Sequence, residues 1–226
     1  MPIMIEAEHI LGDSTPAAFA NYVKVYGETM IPAMNDVGYN LIGAWRQVSG
    51  PLGRDLFLTT ADSMTALEKI GPRLLEHKSL TEGMSRWAEL GFTVDEVLKT
   101  GRPFEFSDER RLQQGVANTG SAPRCYRLIR RRVGAPGMAA ASEALADLAD
   151  GLEAAGSWQL FAAYQTTYAD RREMSEIWIT DNITREWYPH AASTEVLASL
   201  HAVTYDRLLY PPDAPHKTPT PHSPPS

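Results

Sequence analysis

Residues 40–63 read NLIGAWRQVSGPLGRDLFLTTADS. Two apolar runs with polar breaks, Asn40–Val48 and Asp55–Ala61, flank a loop containing Gly50-Pro51 and Gly53. This is the pattern of a β-hairpin, because glycine and proline supply the backbone angles that reverse a chain. Asp62-Ser63 then offers a helix start. A second hairpin of the same form follows at Ser157–Gln165 and Glu173–Thr180. The recurrence predicts two similar units in one chain.

Upstream of the first hairpin, Ile3–Leu11 reads as a strand carrying Glu6, Glu8 and His9. Ser14-Thr15-Pro16 supplies a cap and a proline in the first helical turn. Phe19, Tyr22, Val23, Tyr26, Met30, Met34 and Val37 recur at helical spacing, Pro32 kinks or restarts the helix, and Gly38 stops it. Downstream, Met64, Leu67, Ile70, Leu74 and Leu75 mark a helix bent at Gly71-Pro72. The first half is therefore β-α-β-β-α, residues 1–101. Residues 79–98 read as an interrupted helix, with Thr93-x-x-Glu96 capping a short helix that ends near Gly101. Residues 102–122 lose periodicity and read as a linker. The second unit, 123–210, repeats the order. Its strand is Arg124–Val133, and its first helix opens at Pro136-Gly137, with Leu145, Leu148 and Leu152 on one face. A last helix is expected from about Ser193, with Val196, Leu197, Leu200, Val203 and Leu208 inward. Residues 211–226 are proline-rich with almost no apolar side chains, the composition of a disordered tail.

The chain has 226 residues, of which 43% are hydrophobic, enough for a sizeable core. Its net charge of −7 argues against nucleic-acid or anionic-membrane partners, which select basic surfaces. No apolar run reaches the length of a membrane helix, and the first residues show no signal peptide. With a single cysteine, Cys125, there is no disulfide framework. A cytoplasmic protein is expected. The histidines show no metal-binding spacing, so neither a metal nor a cofactor is expected.

The first half resembles the NIPSNAP family in the strand IEAEHIL, the long helix with Pro32 near its end, GYNLIGAWR, GPLGR and the Asp62-Ser63 helix start. The second half resembles it in CYRLIRRR, QLFAAYQ, EIWITD and LLYPP. The resemblance implies an α+β fold of the dimeric α/β-barrel superfamily. Two ferredoxin-like β-α-β-β-α units in tandem would form a pseudo-dimeric barrel around a cavity. It implies a role on small molecules: a cofactor-independent monooxygenase, cyclase or isomerase acting on an apolar or aromatic metabolite. A non-catalytic binding or scaffold protein and a haem-binding protein are the alternatives, and a homodimer is a further possible partner. The family's His-x-Trp pattern in the third strand is replaced here by Phe57-x-Thr59 and Glu176-x-Trp178.

Strand side chains alternate between two faces, one packed under helices and one lining the cavity. Apolar alternation predicts Ile5, Ala7 and His9 on the helix side, with Glu6 and Glu8 in the cavity. It predicts Leu41, Gly43 and Trp45, and likewise Leu160, Ala162 and Tyr164, on the helix side, leaving Arg46 and Gln165 in the cavity. Tyr126 and Leu128 are read under the helix, with Arg127 and Arg131 inward. Glu176 and Trp178 share a face and are read as cavity lining. Glu176 and Glu8 are then the acid–base candidates. Trp178, Arg46, Arg127, Glu6 and Gln165 are the substrate-binding candidates. The plainer reading of the same set is a structural ion-pair cluster.

Overall fold

The structure, a computed structural model, describes residues 2–12, 15–47, 53–91, 93–107, 111–112, 125–133, 137–156, 158–167, 173–180 and 203–210. These residues divide into two compact units, one running to Thr100 and the other from Gly101 to Tyr210. Both are mixed α+β with antiparallel strands. The hairpin loop 48–52, the start of the last expected helix and the proline-rich tail lie outside the described residues.

The first unit opens with β1 (Ile3–Leu11). Thr15 caps α1 (Pro16–Val25), its hydroxyl accepting from the amide of Ala18 at 3.3 Å. The helix then widens into a π-helical turn, Tyr26–Met30, before α2 (Ile31–Val37). Pro32 has no N–H and crowds the preceding turn. A wider turn just before it accommodates the proline without ending the helix. Gly38, at φ 100°, closes α2 in the left-handed conformation open to glycine. Next come β2 (Asn40–Gln47), β3 (Arg54–Ala61), α3 (Met64–Leu75), capped by the Ser63 hydroxyl, and α4 (Lys78–Glu89). The chain then forms β4 (Val94–Pro103). The short helix expected from Thr93 to Gly101 is therefore corrected to a strand. Val94, Val97 and Leu98 fit a helix stripe as well as a strand, and the pairing of Gly101–Pro103 with a later strand selects the extended form.

In the second unit, β5 (Cys125–Arg132) leads to α5 (Met138–Ala154), then to β6 (Gln159–Thr166) and β7 (Glu173–Thr180). Residues Val203–Tyr210 form β8 rather than the end of a helix. Val203, Leu208 and Leu209 fit a strand as well as a helix stripe, since short apolar runs do not separate the two periods. The sheet order is β8-β5-β7-β6, all antiparallel. That is the 4-1-3-2 order of a ferredoxin-like unit. The first unit shows its 1-3-2 portion as β1-β3-β2. Part of the stretch read as linker is structured in the second unit. Gly101–Pro103 pairs with β6, Phe104 stacks on Phe106, and the Ser107 hydroxyl accepts from the Ala163 amide at 2.7 Å.

One irregularity recurs. β2 carries a bulge between Leu41 and Gly43, and β6 carries one between Leu160 and Ala162. A bulge adds one residue to one strand, so every side chain beyond it changes face. In unit 1 the helix-side rows are therefore Ile5–Thr59–Leu41, Ala7–Phe57–Ala44 and His9–Asp55–Arg46. In unit 2 they are Arg127–Trp178–Leu160, Ile129–Glu176–Ala163 and Arg131–Met174–Gln165. The core beneath α5 confirms the phase: Ile129, Val133, Leu160, Ala163, Met174 and Trp178 cluster there with Leu145 and Leu148. Trp45, Tyr126, Leu128 and Tyr164 fall on the opposite faces, against expectation, and are buried there.

At Gly43 an added Cβ would run into the Trp45 ring on the same face. Gly43→Ala should therefore destabilise by about 1–3 kcal/mol through overpacking. Gly151 in α5 meets nothing and precedes no proline, and Gly151→Ala should stabilise by up to ~1 kcal/mol. Urea denaturation of the two variants beside the parent checks both signs.

Candidate functional site

The helix-side face of each unit carries a polar cluster at the same lattice position. In the first unit it centres on His9 of β1, which is 5% exposed. Helix α1 presents Tyr22 to it, because the stripe of Phe19, Tyr22, Val23 and Tyr26 packs on Ala7, Ala44 and Phe57. The Tyr22 hydroxyl donates to His9 Nδ1 at 2.5 Å, and His9 Nε2–H donates to Glu96 Oε1 of β4 at 3.0 Å. The imidazole lies edge-on to Tyr22 and Tyr26, with Phe57 4.7 Å away between ring centroids. Trp87 of α4 stacks on Tyr22 at 5.3 Å.

Opposite His9 in the ladder stands Asp55, 4% exposed. Among the described residues its Oδ1 has no hydrogen-bond partner, and Arg46 Nε lies 4.0 Å from it. Burial pushes this carboxyl up to about 7, the Arg46 charge opposing the rise. The Arg46 guanidinium lies over the Phe19 ring. Burial raises the Tyr22 hydroxyl well above the usual range, with Asp55, Tyr26 and Glu96 adding to the rise; Tyr26 is raised by burial, Glu96 and Asp55.

In the second unit Arg131 occupies the lattice position of His9, and Glu176 that of Phe57. Arg131 Nε donates to Glu176 Oε1 at 2.5 Å, and Trp178 Nε1 donates to Oε2 at 3.0 Å. Both oxygens of the fully buried Glu176 are thus engaged.

The expected residues fall into separate groups. Glu176 and Trp178 are together, but under α5 rather than on the face assigned to them. Arg127 lies opposite Trp178, and Gln165 opposite Met174, on that same helix-side face. Arg46 is likewise on the helix side, where it meets Asp55. The displacements of Arg46 and Gln165 are the two bulges; those of Arg127, Glu176 and Trp178 follow from polar residues packing beneath a helix. Glu6 and Glu8 are buried on the opposite face of β1, as expected, with Glu8 held by Arg54 Nη1 at 2.7 Å. Sequence reading did not single out Asp55, Tyr22, Tyr26, Trp87 and Glu96 as a site. The usable signal was two tyrosines four residues apart on a buried stripe facing a histidine, because buried hydroxyls need partners.

The fold is shared with solved structures. An anthrone oxidase-like protein matches at a TM-score of 0.60 and 12% identity, over 92% of this chain and 90% of its own. A proposed monooxygenase of Lactobacillus acidophilus matches at 0.57 and 12% identity, over 92% of both chains. A NIPSNAP domain protein of Burkholderia xenovorans matches 48% of this chain and all of its own at 16% identity, with a TM-score of 0.41, too low to carry an argument. No family model and no curated sequence matches the chain. These likenesses show the fold alone. Among the described residues no helix is long and apolar enough to cross a membrane, and no three His, Cys, Asp or Glu side chains are grouped to hold a metal.

Glu176→Gln would leave the buried Arg131 guanidinium without its counter-charge. A loss of roughly 3–5 kcal/mol in unfolding free energy is expected, the cost of breaking a buried pair from one side. Chemical denaturation measures it.

Proposed function

We propose that the protein processes an apolar or aromatic small molecule without a cofactor, as a monooxygenase, cyclase or isomerase. These reactions share a first step, removal of a proton from a weakly acidic carbon or phenol. The observation that carries the proposal is Asp55. It is a buried carboxyl with a bare oxygen and a pKa near neutrality, and it shares its face with Phe19, Tyr22, Tyr26 and Phe57. A base poised near the working pH is the most effective one. Flat rings suit an aromatic guest. Arg46 beside it would stabilise the anion that forms.

For oxygenation, Asp55 takes a proton from a CH₂ activated by an aromatic carbonyl. The carbanion passes its electrons to dioxygen, one oxygen atom stays on carbon as a carbonyl, and the other leaves as water. The likeness to an anthrone oxidase-like protein supports this member of the set. Of the sequence candidates, Glu176 is less available to a substrate, since Arg131 and Trp178 occupy both its oxygens. With Glu8, Trp178, Arg127, Glu6 and Gln165 it is read as a charged and aromatic frame. His9 does not fit a haem ligand, since both its nitrogens are engaged. Membership of the NIPSNAP family remains part of the proposal and rests on the sequence resemblance. The closed Arg131–Glu176–Trp178 set favours the second reading, a binding protein without catalysis.

Oxygen uptake with enolisable aromatic ketones, together with native mass spectrometry of retained small molecules, tests the proposal. Asp55→Asn should lower turnover at least ~100-fold while keeping the fold. No uptake and no retained aromatic molecule would remove it. A pH signature follows. The folded state keeps the Asp55 proton up to about pH 7, whereas the unfolded chain releases it near 3.8. The native state therefore binds more protons between these values, and stability falls as pH rises through that window. Asp55→Asn should abolish this fall and be the more stable form above it, as thermal melts across pH would show. Parental turnover should rise with pH through about 7 as the base ionises.

A further inference from the structure

The first-unit cluster has a graded exposure that acid–base chemistry at Asp55 does not by itself require. The Glu96 side chain is 47% exposed, that of His9 is 6% exposed, and Tyr22 is fully buried. The three are joined in that order by hydrogen bonds of 3.0 and 2.5 Å. The donors run one way: Tyr22 O–H to Nδ1, then Nε2–H to the Glu96 carboxylate. Trp87, stacked on Tyr22, brings no charge from α4. Among the described residues, the other titratable or charged groups beside His9 are Tyr26 from the π-helical turn, Asp55 from β3 and Arg46 from β2.

We propose that Glu96, His9 and Tyr22 form a proton path between solvent and the buried helix-side face of the first unit. A proton on the buried face is taken up by the Tyr22 oxygen as that oxygen gives its own to Nδ1. In the same movement Nε2 gives its proton to Glu96, which releases it to water. One proton enters the chain and one leaves. No charge is stranded in the interior, where tyrosinate is strongly disfavoured. The imidazole is left as its other tautomer, and return of a proton in the reverse order restores it. A reaction that removes a proton from substrate and later returns protons to form water uses both directions. His9 and Glu96 are thus positioning and transfer residues that act through Tyr22, and the proposal rests on the Asp55 reading.

The test is the exchange of the Tyr22 hydroxyl proton with solvent, followed by proton NMR saturation transfer on the full chain without substrate. Glu96→Gln keeps the shape of a half-exposed side chain and removes its capacity to carry a proton. It should slow Tyr22 hydroxyl exchange at least about tenfold. Backbone amides of α1 should exchange at the parental rate, and Glu89→Gln, on exposed α4 surface, should change neither. Unaltered Tyr22 exchange in Glu96→Gln overturns the path. So does a slowing that α1 amides share, since that marks a change in local opening. The measurement needs no substrate, so its failure leaves the Asp55 chemistry standing, and absent turnover leaves the path standing.

Discussion

A strand buried on both faces leaves no room for an unmatched charge. The sheets here are of that kind: Glu6, Glu8, Asp55, Arg130, Arg131, Glu173 and Glu176 are all less than a tenth exposed. Desolvating a charge costs several kcal/mol unless a partner is close, so the ion pairs are conditions of the fold before they are anything else. Glu8 meets Arg54, and Glu176 meets Arg131 and Trp178. Asp55 is incompletely matched, since its arginine stands 4.0 Å off and, among the described residues, one oxygen lacks a hydrogen bond. Burial raises its pKa, and the Arg46 charge offsets that rise only in part. The chemistry proposed for the protein therefore arises where the structural rule is imperfectly obeyed.

Much of this was legible in the sequence. The hairpins, the caps at Thr15 and Ser63, the apolar stripe of the long helix and its glycine stop follow from local rules, and the structure has each of them. Local rules suffice there because the hydrogen bonds that decide those features span only a few residues. The faces of β2 and β6 beyond their bulges were not legible. Leu41, Gly43 and Trp45 alternate as a regular strand would; Gly43 is the one letter that hints at a bulge, and β6 has no glycine at its own. The misplacement of Arg46 and Gln165 follows from that single insertion. Arg127, Glu176 and Trp178 depart from the alternation for another reason: a polar side chain is expected to avoid the helix side, whereas pairing and aromatic contacts let these lie there.

The missed strands share a cause. β4 and β8 have residues that fit a helix stripe or a strand equally well, and what selects the strand is a neighbour distant in sequence. Gly101–Pro103 pairs with β6 some sixty residues later, and β8 pairs with β5 about eighty residues earlier. Non-local pairing is invisible to a window of ten residues. The site was hidden with them, since Glu96 reaches His9 only because its segment is a strand.

The paired bulges also make the two units comparable position by position, because each shifts the face of the strand beyond it by the same single residue. At one equivalent pair of positions the first unit sets a histidine diagonally against a phenylalanine, and the second an arginine against a glutamate. The imidazole of the first is tied by hydrogen bonds to a hydroxyl and a half-exposed carboxylate, whereas the guanidinium of the second closes on a fully buried one. One backbone lattice thus tolerates two unlike ways of satisfying polar groups beneath a helix: a chain of hydrogen bonds that reaches toward solvent, and a sealed ionic strut.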